Sequence, residues 1–341
     1  MKFFGIDFGV KARQSLFKGL LLTTDSSGVG CPEEAFDKVL LAAKIVAEEK
    51  GEEGPVPNAQ FRCLRAGDKE GHCRDILLNH GGCFQPECVH GDILDRCASK
   101  SKQRMLEIQK EGLKAVQEEV NRRGSKSSFA YAHVGYSSLC RMSKFMMNTA
   151  NVKPEKLQAL CAVHDSKCLV IPSRPAHFPG ICMHVAGVNC YDWSGMGSKK
   201  KWLGDSVFPF MQWARERALA KEDVILVECT LAFDSKSLRE LFEKEYTLEV
   251  LRVSPTLFGE TVERQRKYML LIRKDKLQWC RSVADHGAEK VFYQVFARTF
   301  HMLGQEKFRA PQTEVAEHLQ DCVQQRRLPP ASRSGRPWSF F

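Results

Sequence analysis

The sequence lacks the long apolar runs that cross membranes. No uninterrupted apolar stretch in its 341 residues reaches the ~18 residues that a spanning helix needs. Its first residues, MKFFGIDFGVKARQ, carry charges where the apolar centre of a secretion signal would lie. We therefore expect a chain that neither spans a membrane nor enters the secretory route.

Paired C-x-x-C motifs are also missing, although the chain contains 14 cysteines. Cysteines and histidines crowd together in one segment: His72, Cys73, His80, Cys83, Cys88 and His90. Without C-x-x-C pairs this spacing does not favour zinc, and we predict no metal. In a chain of this length, free thiols in a reducing compartment, nuclear or otherwise intracellular, are the simplest interpretation.

Neither an internal repeat nor a phosphate-binding lysine motif is recognisable. The missing lysine motif favours a nucleoside ligand over a nucleoside triphosphate. Hydrophobic residues make up 43% and charged residues 27%, which is typical of folded globular proteins. The net charge of +10 suits a polyanionic partner but does not by itself identify nucleic acid.

Strand-like apolar segments alternate with helix-like segments. Residues 16–30 predict a strand that enters a glycine turn, and residues 31–50 predict a helix with Pro32 in its first turn. Further strands are predicted at 59–70, 87–94, 181–190, 223–230, 248–255 and 267–274. The alternation predicts an α/β fold with a mostly parallel sheet and helices on both faces. Ligands of such sheets bind at the carboxyl ends of the strands.

The predicted domain organisation has one main part and a tail. We predict a main domain over residues 1–276, a helical segment over 277–325 and a disordered basic tail over 326–341. The charged, periodic segment 102–123 predicts an exposed helix. Because no clear pattern follows it, we interpret residues 102–180 as an insertion.

Candidate ligand-binding residues follow the first three predicted strands. Ser26, Gly28 and Gly30 lie in a strand-to-helix turn, where glycine lets the backbone approach a ligand. Asp68 follows the second strand, and a carboxylate there can bind both ribose hydroxyls of a nucleoside. Asp92 ends the third strand, where an acid can contact an adenine amino group.

Each of these features also fits an ordinary structural role. A G-x-G turn occurs between many strands and helices, and Asp68 fits a solvated loop acid equally well. Glu70 is a rival for the ribose contact because it lies in the same loop.

Three later segments carry a resemblance to a known family. The segment 186–194, AGVNCYDWS, resembles the strand-end loop of the cytosine-C5 methyltransferases, whose pattern is close to G-x-P-C-Q-x-[FW]-S. The segment 227–230, VECT, resembles their E-N-V, and Arg264 and Arg266 match the R-x-R of their Q-x-R-x-R. The turn at 26–30 and the two aspartates precede these in family order, over about residues 20–275. The resemblance implies a Rossmann-like class I S-adenosylmethionine-dependent methyltransferase fold.

The resemblance implies methyl transfer from S-adenosyl-L-methionine to C5 of cytosine in DNA. Cys190 would then be the thiol that adds to C6 of the ring, which splits one hard step into easier ones. Glu228 would bind N3 and the exocyclic amine, while Arg264 and Arg266 would orient the ring and the thiol loop. A duplex substrate would require flipping of the target base.

The lysine run 199–201 follows the candidate thiol. Lys199, Lys200 and Lys201 offer positive charge for a thiolate or for phosphates. A solvated loop explains the same run without any function.

Departures from the family pattern keep other functions open. Asn189 and Tyr191 flank the thiol where the family has proline and glutamine, and Cys229 and Thr230 replace the asparagine and valine of E-N-V. No target-recognition domain is recognisable beyond residue 276, so recognition could use the insertion and the C-terminal helices, or a protein partner could supply it. The alternatives are methylation of RNA, or an inactive protein of the same fold that binds nucleic acid or regulates a partner. A methyltransferase for small molecules or proteins would leave Cys190 unexplained.

Overall fold

A computed structural model of the chain describes residues 5–123, 127–149 and 152–297. The helices are α1 (Gly5–Leu16), α2 (Cys31–Glu49), α3 (Gly71–Leu78), α4 (Ser99–Arg123), α5 (Ser127–Met146), α6 (Val207–Ala220), α7 (Ser235–Phe242), α8 (Arg281–His286) and α9 (Ala288–Phe296). The strands are β1 (Leu20–Asp25), β2 (Phe61–Gly67), β3 (Val89–His90), β4 (Gln158–Cys161), β5 (Ser166–Leu169), β6 (Ile181–Gly187), β7 (Val224–Cys229), β8 (Tyr246–Val253) and β9 (Arg266–Arg273).

The strands form one sheet in the order β5-β4-β3-β2-β1-β6-β7-β9-β8. Its central strands β3, β2, β1, β6 and β7 pair in parallel. The outer strands add antiparallel pairs at both edges. This arrangement confirms the predicted α/β fold with a mostly parallel sheet.

Helices cover both faces of the sheet. On one face, Leu40 of α2 packs with Leu22 of β1 and Met183 of β6. On the other face, Ala186 of β6 packs in a larger cluster that includes Phe210 of α6. Because side chains alternate across a strand, odd and even positions of β6 point to opposite sides. Two apolar cores therefore enclose the parallel strands, as expected for a doubly wound sheet.

The predicted helix at 31–50 is confirmed as α2, with Pro32 in its first turn. The third strand is shorter than predicted, because β3 ends at His90. The Asp92 side chain instead accepts the Leu94 N–H at 2.8 Å and caps a short 3-10 helix, Ile93–Arg96. This cap turns the chain away from the sheet at the strand end.

The helix predicted at 102–123 is present as α4, but the prediction that it is exposed was wrong for one face. Met105 and Ile108 are fully buried, and with Leu139 and Met142 of α5 they belong to the larger core cluster. Hydrophobic side chains three and four residues apart place these contacts on one side of the helix. The interpretation of residues 102–180 as an insertion stays a prediction.

The described chain divides into two units. The first comprises the described residues within 5–254 and 264–296 and contains the sheet. The second comprises, of the described residues, Pro255–Glu263 and Ala297, and contains a short 3-10 helix, Pro255–Phe258. The predicted helical stretch beyond residue 297 and the predicted tail over 326–341 lie outside the described residues. No helix in the described ranges is long and apolar enough to cross a membrane.

Candidate functional site

A cavity of about 830 Å³ opens at the carboxyl ends of the parallel strands. Its volume lies within the ~300–1,000 Å³ that small-molecule sites usually occupy. Its walls come from the last residues of parallel strands and from the loops that follow them, among them Asp25, Ser26, Asp68, Asp92, Asn189 and Tyr191. A cavity at this edge matches the general position of ligand sites in doubly wound sheets.

The turn after β1 depends on left-handed backbone conformations. Ser26, Gly28 and Gly30 have φ angles of 51°, 57° and 81°. A Cβ on Gly28 would meet nothing within 4 Å, so glycine is favoured here by the backbone conformation and not by lack of space. The Gly28 N–H donates to Asp68 Oδ2 at 2.9 Å. The turn is therefore tied directly to the carboxylate that follows β2.

Asp68 is held from two sides. Its Oδ1 accepts the Glu70 N–H at 2.9 Å, while its Oδ2 accepts that of Gly28. The residue is 9% exposed and lines the cavity. A carboxylate has about four lone-pair positions, so each oxygen retains capacity for a ligand hydroxyl. Glu70 also lines the cavity, but its side chain is 52% exposed and pairs with Lys69.

A buried ionic network underlies the same wall, and sequence reasoning missed it. Asp25 pairs with Arg65 at 2.6 Å and with Arg96 at 2.9 Å. Glu216 of α6 pairs with the same two arginines at 3.3 and 2.9 Å. Burial would raise the pKa of Asp25, but the Arg65 and Arg96 guanidiniums outweigh it and hold that pKa well below its usual range.

One sequence signal could have indicated this network. Arg65 lies within an otherwise largely apolar strand, FRCLRAG, and is fully buried. A buried arginine requires acidic partners. Those partners, Asp25 and Glu216, are distant in sequence, so spacing alone could not identify them.

The loop between β6 and α6 is anchored by Asp192. This residue is 2% exposed, and its carboxylate accepts the Ser206 N–H at 2.9 Å and the Ser198 hydroxyl. A Cβ on Gly204 would lie 1.9 Å from Asp192 Cγ, so only glycine leaves room for the carboxylate. The loop contributes Lys200 to the cavity wall. Lys199 and Lys201 have φ angles of 58° and 52°, a conformation that non-glycine residues rarely adopt.

Cys190 lies in the same loop, three residues after the end of β6. Its carbonyl oxygen accepts the Trp193 and Ser194 N–H groups at 2.9 and 2.8 Å. Its side chain is half-buried and packs against the larger core cluster. Of the described residues, its neighbours Asn189 and Tyr191 line the cavity, whereas Cys190 itself does not.

A second thiol nearby has a different environment. Cys229 at the end of β7 is buried in the core. Burial raises the pKa of the Cys229 thiol to about 12, so it stays protonated at neutral pH. A protonated, buried thiol is a poor nucleophile, which makes Cys229 a structural residue.

Glu228 and Arg266 form an ion pair on neighbouring strands. Arg266 Nε donates to Glu228 Oε1 at 2.8 Å, and the side chains are 22% and 31% exposed respectively. Gly187, which lines the cavity, pairs with Glu228 in the sheet. A Cβ on Gly187 would lie 3.8 Å from Glu228 Oε2, so the pair lies at the cavity edge. Arg264 is exposed just before β9 and does not join this pair in the described part of the chain.

The candidate residues thus fall into two groups. Ser26, Asp68, Asp92 and Lys200 line one cavity, and Gly28 supports it through Asp68. Of the predicted catalytic residues, Glu228 and Arg266 form an ion pair at the cavity edge, Cys190 packs against the larger core cluster and Arg264 is exposed.

No protein-family profile and no curated protein matches the chain. Several solved structures are similar at low identity. A candidate DNA modification methyltransferase encoded within a prophage of E. coli is 11% identical, with a TM-score of 0.37 over 78% of this chain and 50% of that one. The Dnmt2 methyltransferase of S. pombe is 14% identical, with a TM-score of 0.37 over 79% and 56%.

A mutant of DNMT2 from Spodoptera frugiperda is 11% identical, with a TM-score of 0.34 over 76% of this chain and 52% of that one. The chain therefore spans about half the length of these structures. Likeness at this level does not determine the activity of the chain.

Proposed function

We propose that the cavity binds S-adenosyl-L-methionine and that the chain transfers a methyl group to C5 of cytosine in DNA. The observation that carries this proposal is the placement of Asp68. It is buried, hydrogen-bonded to the glycine turn, and lines a cavity that is also lined by Asn189 and Tyr191, the neighbours of Cys190. The residues fit the nucleoside because Asp68 and Asp92 offer acceptors and the volume suits a small molecule.

The chain's own residues would divide the work. The Cys190 thiolate would add to C6 of the target cytosine, so that C5 gains electron density. When bound, S-adenosylmethionine would supply an electrophilic methyl group. Once C5 has taken this methyl group, loss of the C5 proton to water and departure of the thiolate from C6 would restore the ring. Because a thiolate is needed, the neighbouring lysines 199–201 would assist by their positive charge.

Glu228 and Arg266 would position the base. A carboxyl group at the cavity edge can bind N3 and the exocyclic amine of cytosine, and the guanidinium can orient the ring carbonyl. Their ion pair places the two side chains next to each other at the ends of β7 and β9. Arg264, two residues before Arg266 and outside β9, would contact the thiol loop or the phosphates.

The decisive experiment measures transfer of labelled methyl from S-adenosylmethionine to DNA and, separately, to RNA. We expect label on DNA with the wild-type chain, none with Cys190→Ala, and wild-type transfer with Cys280→Ala. Cys280 is an exposed thiol on the same unit and is the matched control. Label on RNA alone would identify RNA, and not DNA, as the substrate. Transfer that survives in Cys190→Ala would contradict the thiol mechanism.

A second candidate function is supported by the position of Cys190 itself. Because this side chain packs against the core and Arg264 is exposed, the chain would suit a non-catalytic protein that binds nucleic acid or a partner. Calorimetric binding of S-adenosylmethionine without transfer to either polymer would favour this second function. If an added partner protein restored methyl transfer, the chain would be an enzyme that depends on that partner.

A further inference from the structure

Three cysteines and one histidine converge away from the cavity, where the β4–β5 hairpin meets β3. Cys88 precedes β3, Cys161 ends β4, His164 lies in the hairpin turn and Cys168 lies in β5. One side-chain sulfur or nitrogen from each lies within 4.8 Å of all the others. Residues from two distant parts of the chain thus form one compact donor set.

The distances between these atoms suit a tetrahedral ion. His164 Nδ1 lies 3.4 Å from Cys161 Sγ, 3.4 Å from Cys168 Sγ and 3.8 Å from Cys88 Sγ. Zinc binds thiolate sulfur at about 2.3 Å and imidazole nitrogen at about 2.0 Å, so two such ligands on a tetrahedron are about 3.5 Å apart. The observed separations bracket that value.

The hairpin turn supports the same interpretation. The Ala162 N–H, next to Cys161, donates to the carbonyl oxygen of Val89, next to Cys88, at 2.8 Å. Asp165 adopts a left-handed conformation with φ of 47°, which brings the chain back towards β5. The turn therefore holds Cys161, His164 and Cys168 close to Cys88.

We propose that Cys88, Cys161, His164 and Cys168 bind one structural zinc ion. Three sulfurs and one imidazole complete a tetrahedral shell, which leaves no open position for a substrate and is typical of structural sites. Each thiol would release its proton on binding. The sequence alone favoured no metal, because Cys88 lacks a C-x-x-C partner and its co-ligands lie in segment 161–168.

Few strand pairs other than those within the β4–β5 hairpin hold this hairpin to β3. β3 contains two residues and pairs with β4 through the single pair His90–Cys161. β4 and β5 contain four residues each, and Leu160 is 65% exposed. A small two-stranded hairpin is marginally stable on its own. Zinc would attach the hairpin to β3, which leads directly into Gly91 and Asp92 of the cavity wall.

A disulfide is the main chemical alternative, and the strand register disfavours it. Cys161 pairs with Ser166, while Cys168 pairs with Ala159, so the two cysteines are diagonal neighbours on one face. Diagonal neighbours are typically about 7–8 Å apart. Disulfides usually need Cα atoms within about 4.4–6.8 Å. A metal ion bound by both Cys161 and Cys168 fits this separation better than a disulfide between them.

The test is the metal content of the purified full chain, measured by elemental mass spectrometry after dialysis. We expect one zinc per chain in the wild type and loss of zinc in Cys168→Ser and His164→Ala. His164→Cys should keep the ion, because a fourth thiolate can replace the imidazole. Cys31→Ser, an exposed thiol outside the cluster, is the matched control and should keep it as well.

Cobalt(II) exchanged into the wild type provides a second measurement. We expect the intense visible bands of tetrahedral cobalt and a thiolate charge-transfer band, both absent in His164→Ala. His164 is exposed and Cys168 is partly buried, and neither belongs to the larger core cluster, so their replacement should leave that core intact. Wild-type chain without zinc after refolding in its presence, or full zinc in Cys168→Ser, would overturn the proposal. The zinc site would exist whatever the cavity binds.

Discussion

The two halves of the strand-end edge differ in how their side chains are held. On the β1–β3 side, Asp25 and Asp68 are almost completely buried and each accepts bonds from two partners. On the β6–β9 side, Cys190 is half-buried, and Glu228 and Arg266 share one partly exposed ion pair. The first half is therefore fixed before any ligand arrives, whereas the second is adjustable.

This difference suits the two ligands of the proposed reaction. A fixed wall reduces the ordering cost when a small nucleoside binds. An adjustable wall suits a flipped base, which arrives with a large partner and can reorganise a loop as it enters. We therefore expect cofactor binding to be independent of nucleic acid, and thiol positioning to depend on it.

The strongest test of the fixed half is Glu216→Gln. Removal of this negative charge would leave the buried Arg65 and Arg96 with Asp25 as their remaining acidic partner. Breaking a buried ion pair typically costs about 3–5 kcal/mol. We expect the free energy of unfolding to fall by about that amount in chemical denaturation. Glu118→Gln is the control, because Glu118 is exposed and its partner Lys114 lies 4.0 Å away. Equal losses in the two variants would contradict a fixed framework.

The next effect concerns ligand affinity. Asp68→Asn should weaken S-adenosylmethionine binding by about tenfold to a hundredfold, since hydrogen bonds to a charged group contribute about 1.5–3 kcal/mol. Glu70→Gln, on the same wall but exposed, should change the affinity by less than about threefold. Isothermal titration calorimetry measures both. A larger loss of affinity in Glu70→Gln than in Asp68→Asn would assign the ribose contact to Glu70.

Local patterns predicted much of the fixed half. Alternating strands and helices indicated the parallel sheet, and Pro32 with two following glutamates marked the start of α2. Asp68 could be assigned to a strand end because β2 is an apolar segment followed by a polar loop. These features depend on residues that are close together in sequence, so a single sequence was enough to predict them.

Long-range pairings could not be predicted in this way. The hairpin β4–β5 is short and carries exposed polar residues, so it has no clear period of two. Its partner Cys88 lies far away in sequence, and the Arg65–Glu216 pair joins a strand to a distant helix. Such contacts depend on the register of the whole sheet, and no local signal encodes that register.

A buried histidine gives a smaller, pH-dependent test of the fixed half. His184 of β6 contacts Thr23, Trp213 and Arg217, and burial together with the Arg217 charge lowers its pKa well below its usual value. Folded His184 therefore stays neutral while the unfolded chain takes up a proton below about pH 6.5. Stability should consequently fall on acidification, by up to about 1.4 kcal/mol per pH unit for this group.

Denaturation series between pH 7 and pH 5 measure that slope. His184→Asn should be less stable at neutral pH but show a flatter slope than the wild type. His133→Asn, at an exposed position on α5, should keep the wild-type slope. An unchanged slope in His184→Asn would assign the acid sensitivity to other groups.

The smallest expected effect tests the adjustable half. Arg266→Gln removes one partner of a partly exposed ion pair, so the free energy of unfolding should change by no more than about 1 kcal/mol. S-adenosylmethionine affinity should stay within about twofold, because the pair lies beside the cavity and not in its described wall. Thermal denaturation and calorimetry on the same preparation measure both quantities. A loss as large as that of Glu216→Gln would mean that Glu228 and Arg266 belong to the fixed framework. The contrast between a fixed nucleoside wall and an adjustable base wall would then fail, because both sides would be set before nucleic acid binds.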